Sequence, residues 1–532
     1  MNMKKLYILA AVLASTLTAA AQDAYDAANF SQQDLNGTAR YVGMGGAMDA
    51  LGADLSTINS NPAGTALFRR SMITGSFGFV SQGGVQEMSG FSKTNVSLDQ
   101  IGFVWVTRSD VRNFINVGFN YSKSRNFNQI LRAAGAFGVK TDAAGNPLPG
   151  SQNGQTNAKW IYNNMYQTNL NSIVDDIYEK LLVTREDDGQ GGQVDVFNPI
   201  SASTYDFARG NSGYIGNYSF NISGNLGDRV YLGMTVGLKD VHYKGMTYYS
   251  EVANPGQTID GMLINGFDMA DERIITGTGF DVAFGVIFRP VAESPFRIGV
   301  SVKSPTWYTL TSSTLTSGVT DGADWTIPNT YKFKFNTPWK FGLSLGHTIG
   351  DKVALGAGVE YESLGSSKMR VITGSVYDPY YDSYDDVSTT DDIMNQSISD
   401  NLKGVVTLKL GGEVNIDKNF SVRAGYNYVS PQFKDNSFRD QTLRSPGVWN
   451  ASTTDYTNWK STHRFTAGAG YSFNHFRVDI AYQYSQTNGT FYPCQDNIYV
   501  GDVDNPVFEN NCTGTDVSNK RHQLLLSLSY RF

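Results

Sequence analysis

The last eleven residues, His522 to Phe532 (HQLLLSLSYRF), constrain the fold more than any other stretch. From Leu524 the alternation is strict. Leu524, Leu526, Leu528, Tyr530 and Phe532 fall on one side; Leu525, Ser527, Ser529 and Arg531 fall on the other. Side chains alternate along a strand, so this segment has one apolar face and one mostly polar face. Two settings accommodate it: the edge strand of a soluble sandwich, or a stave of a membrane barrel. The rest of the chain decides between them by repeating the pattern or not.

The other end predicts the compartment. Lys4 and Lys5 precede an apolar run from Leu6 to Leu17, and Ala19-Ala20-Ala21 offers a small-residue cleavage site before Gln22. This reads as a secretory signal peptide over residues 1–21. No apolar run of ~18 residues follows, so no spanning helix is expected. A membrane protein of this kind must be a closed barrel, because only helices and barrels satisfy their backbone in lipid. The mean hydropathy of −0.29 is compatible, since alternation hides a membrane face from averages. The 30 Tyr and 30 Phe suit interfacial girdles. Without Lys4 and Lys5, 40 basic residues face 49 acidic ones. That balance gives no support for nucleic-acid binding.

Fourteen segments read as strands, and several alternate as the last one does. Val230, Leu232, Met234, Val236 and Leu238 share a face; so do Phe420, Val422, Ala424, Tyr426 and Tyr428, and Phe465, Ala467, Ala469, Tyr471 and Phe473. Short turns at 108–112, 225–228, 290–294, Gly350, 415–417 and Asn474 alternate with long connections at 81–98, 123–213, 242–275, 311–329, 364–400, 431–460 and 487–520. Short periplasmic turns and long outer loops are the asymmetry of outer-membrane barrels, and a sandwich has no reason for it. Residues 330–349 contain Thr337-Pro338, and Pro cannot donate to a ladder. Taken as one kinked strand they give an even count of fourteen; split, they give fifteen and break the alternation of turns. The expected fold class is therefore an all-β transmembrane barrel of about 14 antiparallel strands over residues 71–532. The terminal strand resembles the recognition strand of outer-membrane barrels. That implies Tyr530 and Phe532 as the signal read by the barrel-assembly machinery.

Residues 22–70 do not read as strand. They include GTARYVGMGGAMDALGADLSTINSNPAG over 37–64. Gly43, Gly45 and Gly46 permit tight turns or close backbone approach, and Asn59 to Gly64 is turn-rich. This run is similar to the N-terminal segment of the FadL-type outer-membrane transporters of long-chain fatty acids and other hydrophobic compounds. Asn61-Pro62-Ala63 followed by Gly64 matches that family's hatch motif, and the small-residue stretch Gly46 to Asp54 matches what precedes it. The resemblance implies a 14-stranded barrel closed by an N-terminal hatch over 22–70. It also implies passive transport from an outer groove, through a lumenal pocket, to a lateral exit gated by the hatch.

Within 123–213, residues 157–183 have helical spacing. Leu170, Ile173, Val174, Ile177, Leu181 and Leu182 form a stripe opposite Asp175, Asp176, Glu179 and Lys180. The stripe either forms the entry groove, as in the resembling family, or packs on neighbouring loops. Cys494 and Cys512 read as a loop disulfide in an exported chain, with two free thiols as the alternative. Asp378, Asp382, Asp385, Asp386, Asp391 and Asp392 crowd one loop without EF-hand spacing, which favours a solvated acidic loop over a cation site. Inward Arg423, Arg464 and Arg531 suit either a ligand carboxylate or lumenal ion pairs with residues such as Glu360 and Asp479. The five His lie in no nucleophile motif, so no enzyme is expected. No cofactor and no metal site are expected either. The expected partners are a hydrophobic small-molecule ligand, outer-membrane lipid and lipopolysaccharide, with a monomeric barrel. Haem uptake by the same kind of barrel and a general diffusion porin are the alternatives. An energy-coupled receptor would need a far longer plug.

Overall fold

The structure is a computed structural model. It describes residues 23–109, 113–137, 183–187, 192–197, 202–256, 258–259, 262–263, 265–320, 323–380, 382–440, 443, 445–449, 451–494, 497–498, 508–509 and 512–532. One closed antiparallel sheet of 19 hydrogen-bonded segments makes 14 staves. In chain order they are β1 (Met72–Gly83), β2 (Thr94–Arg108), β3 (Phe114–Asn126, continued by Gln129–Ala136), β4 (Ala202–Leu226), β5 (Val230–Ala253) and β6 (Gly266–Phe288). Next come β7 (Arg297–Lys303 and Trp307–Thr320), β8 (Ala323–Asn336 and Lys340–Ile349), β9 (Val353–Ser363 and Lys368–Asp378) and β10 (Gly404–Asn415). β11 (Phe420–Val429), β12 (Tyr456–Phe473), β13 (Phe476–Tyr492) and β14 (Thr515–Arg531) complete the wall. A returning strand, Ser383–Thr390, and a helix, Asp392–Asn401, join the top of β9 to β10. β1 closes the barrel on β14, in a register running from Met72 opposite Arg531 to Gly83 opposite Lys520.

The alternation read from the sequence sets the two faces of the wall. Phe77, Phe220, Phe284, Phe341, Phe465 and Leu528 point outward and are exposed. Ser76, Asn116, Asn120, Ser219 and Ser527 point inward and are buried. Burying one large apolar side chain is worth roughly 1.5–3 kcal/mol, so this belt strongly favours lipid over water. No helix among the described residues is long and apolar enough to cross a membrane. The wall therefore spans a bilayer as strands, with every edge paired.

Residues 330–349 form one kinked stave. Its two pieces, Ala323–Asn336 and Lys340–Ile349, are separated by Thr337-Pro338-Trp339. The neighbouring staves break at the same height, at Ser304–Thr306 and Leu364–Ser367. Above this level the barrel continues as paired strands. Much of 242–275 and 311–329, expected as loop, is ladder: Gly266 pairs with Val252, and Trp307 to Thr320 run beside Asn336 to Ala323. Those upper strands carry a mostly polar outward row, Thr309, Thr311 and Ser313 among it, so periodicity alone does not reveal them. Cys494 and Cys512 are joined by a disulfide. The helical stripe Leu170, Ile173, Val174, Ile177 and Leu181 lies outside the described residues.

Candidate functional site: the filled lumen

Residues 23–68 fold inside the wall as a chain of short helical pieces. They are α1 (Ala24–Ser31), α2 (Ala39–Gly43) and two 3-10 turns, Leu55–Asn59 and Pro62–Leu67. Each piece is capped by a side chain of the segment itself. Asp23 accepts from the Tyr25 and Asp26 amides, Thr38 from Tyr41, Asp54 from Ser56 and Asn61 from Ala63. Capping satisfies amides that such short helices cannot pair internally.

The lower half forms a floor. Gly45, at φ +62°, packs so closely that a Cβ would lie 2.8 Å from both the Leu410 carbonyl oxygen and the Tyr426 nitrogen. Gly43 and Gly46 flank this contact, with Gly43 facing Gly468. Pro62, Ala63 and Gly64 rest on the opposite wall, where Gly233 and Gly285 leave room. A Cβ on Gly233 would lie 2.3 Å from the Pro62 carbonyl oxygen. Thr65 Oγ1 bonds Asn221 Oδ1 at 2.6 Å and Ser223 Oγ at 2.8 Å. Arg40 makes two bonds to Glu413, at 3.0 and 2.7 Å. Glu413 also meets Arg423 at 2.5 Å, and Arg423 reaches Asp479 at 2.8 Å. Lys409 binds Asp49 at 3.0 Å and also binds Glu360.

Above the floor, α1 and the residues after it form an arm against an apolar cradle. Ala24, Ala27, Ala28 and Phe30 pack with Phe127, Ile215, Leu310 and Phe333 of the wall and with Met394 and Ile398 of the helix before β10. The Phe30 ring meets Phe127 at 5.8 Å and Tyr243 at 6.4 Å, both edge-on. Tyr25 stacks on Phe433 at 4.8 Å.

Three carboxylates fasten this arm to arginines. Asp23 meets Arg439 Nε at 2.5 Å. Asp26 takes a two-point contact from Arg273 at 3.0 and 2.7 Å. Asp34 meets Arg125 at 3.1 Å and Arg521 at 3.6 Å and accepts from the Asn126 amide at 2.8 Å. Burial pushes the Asp34 carboxyl up, but Arg125, Arg521 and Arg464 outweigh it and hold the group below the usual carboxylate range. Cavities of about 120, 70 and 140 Å³ remain between the arm and the wall. A smaller one of about 20 Å³ extends from Phe30 and Gln33 to Ser304, Thr306, Thr337 and Pro338, at the row of broken staves.

The other residues singled out in the sequence sit as follows. Tyr530 and Phe532 face outward at the foot of β14; Phe532 packs on Trp105 at 5.8 Å, and its amide donates to the Ser71 carbonyl. Arg423 is consumed by Glu413 and Asp479, whereas Glu360 takes Lys409 rather than an arginine. Arg531 is exposed. Arg464 is buried and donates to Asn427 Oδ1 at 2.7 Å. Asp391 caps the helix before β10, and Asp386 pairs with Lys332 at 2.5 Å. Among the described residues no group of three or more His, Cys, Asp or Glu could hold a metal. The sequence reading missed Asp23, Asp26, Asp34 and their arginines. A signal existed in the clustering of three Asp within fourteen residues of Gln22. Their partners lie in polar stretches with no readable period.

No protein-family model matches the sequence, and no curated protein does. Solved structures do. A FadL homologue of Pseudomonas aeruginosa superposes with a TM-score of 0.51 at 12% identity, over 94% of this chain and 99% of that one. The chain has the FadL-type fold. The Ralstonia pickettii toluene transporter TbuX superposes more loosely, with a TM-score of 0.46 at 11% identity, over 94% of this chain and 99% of that one.

Proposed function

We propose that the protein is a passive channel of the bacterial outer membrane for hydrophobic or amphipathic small molecules, long-chain fatty acid-like in build. The observation that carries this reading is the filling of the lumen. A floor made of Gly43–Gly46 and Asn61–Leu67 occupies the path that a diffusion porin keeps open to water, and an apolar cradle lies above it. The FadL-type fold supports the same reading.

In this reading Asn61, Pro62, Ala63 and Gly64 belong to a hatch spanning residues 22–70. Cargo lands on the outer loops and passes to the cradle. It leaves sideways into lipid when the hatch shifts. The exit is the row of breaks at Ser304–Thr306 and Thr337–Pro338, supported by the small cavity that ends there. Pro305 and Pro338 cannot donate to the ladder, which weakens the wall at that height. Downhill partition drives transfer, so no energy-coupling motif is required.

The test combines native mass spectrometry of the purified protein with planar-bilayer recording. Co-purified amphiphile and low steady conductance are expected. Absence of any amphiphile together with steady ion conductance would sink the reading in favour of a porin.

A further inference from the structure

The outward face of the wall changes character abruptly on β7, β8 and β9. Its apolar row ends in aromatic side chains. Phe280 of β6 stacks on Trp307 at 5.9 Å, and Trp339 and Tyr361 continue the row on β8 and β9, all of them exposed. Indole N–H and phenol O–H groups favour the boundary between apolar chains and polar head groups. Immediately above, Lys332, Lys334, Lys368 and Arg370 share the same outward face. The register fixes their positions. Lys334 lies between Thr309 and Arg370, Asn336 lies between Trp307 and Lys368, and Lys332 stands opposite Thr311. Neighbouring strands are about 4.8 Å apart, and residues two apart on a strand are separated by about 6.8 Å. The four cations therefore form one compact patch resting on the aromatic row.

Their charge is largely uncancelled. Lys332 pairs with Asp386 at 2.5 Å. Lys334 donates to the Asp386 carbonyl at 3.1 Å, and Arg370 donates to the Ser388 hydroxyl at 3.1 Å and to the Ser388 carbonyl at 2.6 Å. Neutral oxygens thus hold these two side chains in place without neutralising them. Among the described residues, Lys334, Lys368 and Arg370 make no ion pair within 4 Å. The flanking outward residues Thr309, Thr311 and Ser313 carry no charge. The patch stands against the trend of a chain with 49 acidic and 42 basic residues.

We propose that this patch seats a phosphorylated lipid of the outer leaflet, with its acyl chains over Trp307, Trp339 and Tyr361 and its phosphates on Lys334, Lys368 and Arg370. A guanidinium offers phosphate two parallel N–H bonds, and lysine adds a compact charge. An acidic protein or polysaccharide would engage the cations but leave the aromatic row beneath them uncovered. A lipid covers both. The side-chain cations take the place of the divalent ions that otherwise link such phosphates. The proposal gives the lipopolysaccharide contact expected of the barrel a place on its wall. It rests on the outer-membrane setting and on no property of the cargo.

The experiment uses the full mature chain in a neutral detergent, titrated with bisphosphorylated lipid A and with lipid A stripped of both phosphates, and read by native mass spectrometry. The phosphorylated form should bind at least tenfold more tightly, in EDTA as well as without it. Lys334→Gln with Arg370→Gln should remove most of that difference and leave the stripped form unchanged. Trp339→Ala should weaken both forms by a similar few-fold factor. Lys520→Gln, at an exposed lysine of β14, should change neither. Heat-resistant gel mobility checks that each variant has a folded barrel. Equal binding of the two forms, loss of binding in EDTA, or an equal effect of Lys520→Gln and the paired variant would overturn the proposal. So would full displacement of lipid A by inorganic phosphate, which would mark an anion site without a lipid. No cargo is present in these titrations, so their failure would leave the transport reading standing.

Discussion

Gly233 is where β5 touches Pro62. An added Cβ there would lie 2.3 Å from the Pro62 carbonyl oxygen and 2.6 Å from the Ala63 nitrogen. Both are backbone atoms and cannot rotate away, and overpacking of this kind costs about 1–3 kcal/mol. Gly233→Ala should lift the Asn61–Gly64 turn from the wall without preventing barrel insertion. Proteolysis of the N-terminal segment should accelerate several-fold while heat-resistant gel mobility persists; a wild-type cleavage rate would count against this seat. Asp34 yields a pH expectation. Its carboxyl is depressed below the usual range, since Arg125 and Arg521 outweigh burial. A depressed group contributes docking above its unfolded value and loses it as pH falls through its folded value. Arm docking should therefore be flat through weakly acidic pH and fail only below the ordinary aspartate value of about 3.9. Emission from a fluorophore at residue 33 would follow it, and a transition near pH 6 would contradict the assignment. Of these residues, Asn61-Pro62-Ala63-Gly64 stands out in the sequence as a turn-rich run. Gly233 was not, because a glycine in an alternating strand looks the same whether it seats a plug or faces water.

At the scale of elements, the membrane halves of the staves were readable and the upper halves were not. Leu524 to Phe532 alternate because lipid selects apolar residues on one face and a packed lumen selects small polar ones on the other. From Val241 to Ala253 both faces of β5 meet water or protein, so the period fades although the strand continues. The kink at Thr337-Pro338 was visible because proline is unambiguous. Its alignment with the breaks at 304–306 and 364–367 was not, since register between staves is a tertiary property. That alignment makes a prediction. Thr337 donates its amide to the Thr306 carbonyl at 3.1 Å, and Thr306 donates to the Thr337 hydroxyl at 2.8 Å, yet both neighbouring prolines lack a donor. Pro305→Val with Pro338→Val should restore ladder continuity and close the proposed exit. Uptake of a labelled amphiphile should fall several-fold with its affinity for detergent-solubilised protein unchanged. Uptake at the wild-type rate would place the exit elsewhere in the wall.

For the whole molecule, residues 23–68 are held inside the wall at two levels by different physics. The arm is held by carboxylate–arginine contacts and aromatic edges. The floor is held by close glycine packing and the buried Arg40–Glu413–Arg423 chain of charges. These layers should come apart separately. Deleting residues 22–36 while keeping residues 1–21 removes Asp23, Asp26 and Asp34 but leaves Gly43–Gly46 and Asn61–Leu67 in place. That variant should still conduct few ions, because the floor remains. Deleting residues 22–64 removes both layers and should give a steady pore. Its outer half would carry Arg125, Arg273, Arg439, Arg464 and Arg521 without the arm's carboxylates, so it should prefer chloride to potassium. That preference should weaken as salt rises and the Debye length shrinks from about 10 Å at 0.1 M to 3 Å at 1 M. Reversal potentials in asymmetric potassium chloride measure it. A cation-selective pore, or steady conductance already present in the shorter deletion, would contradict the two-level closure argued from the ion pairs.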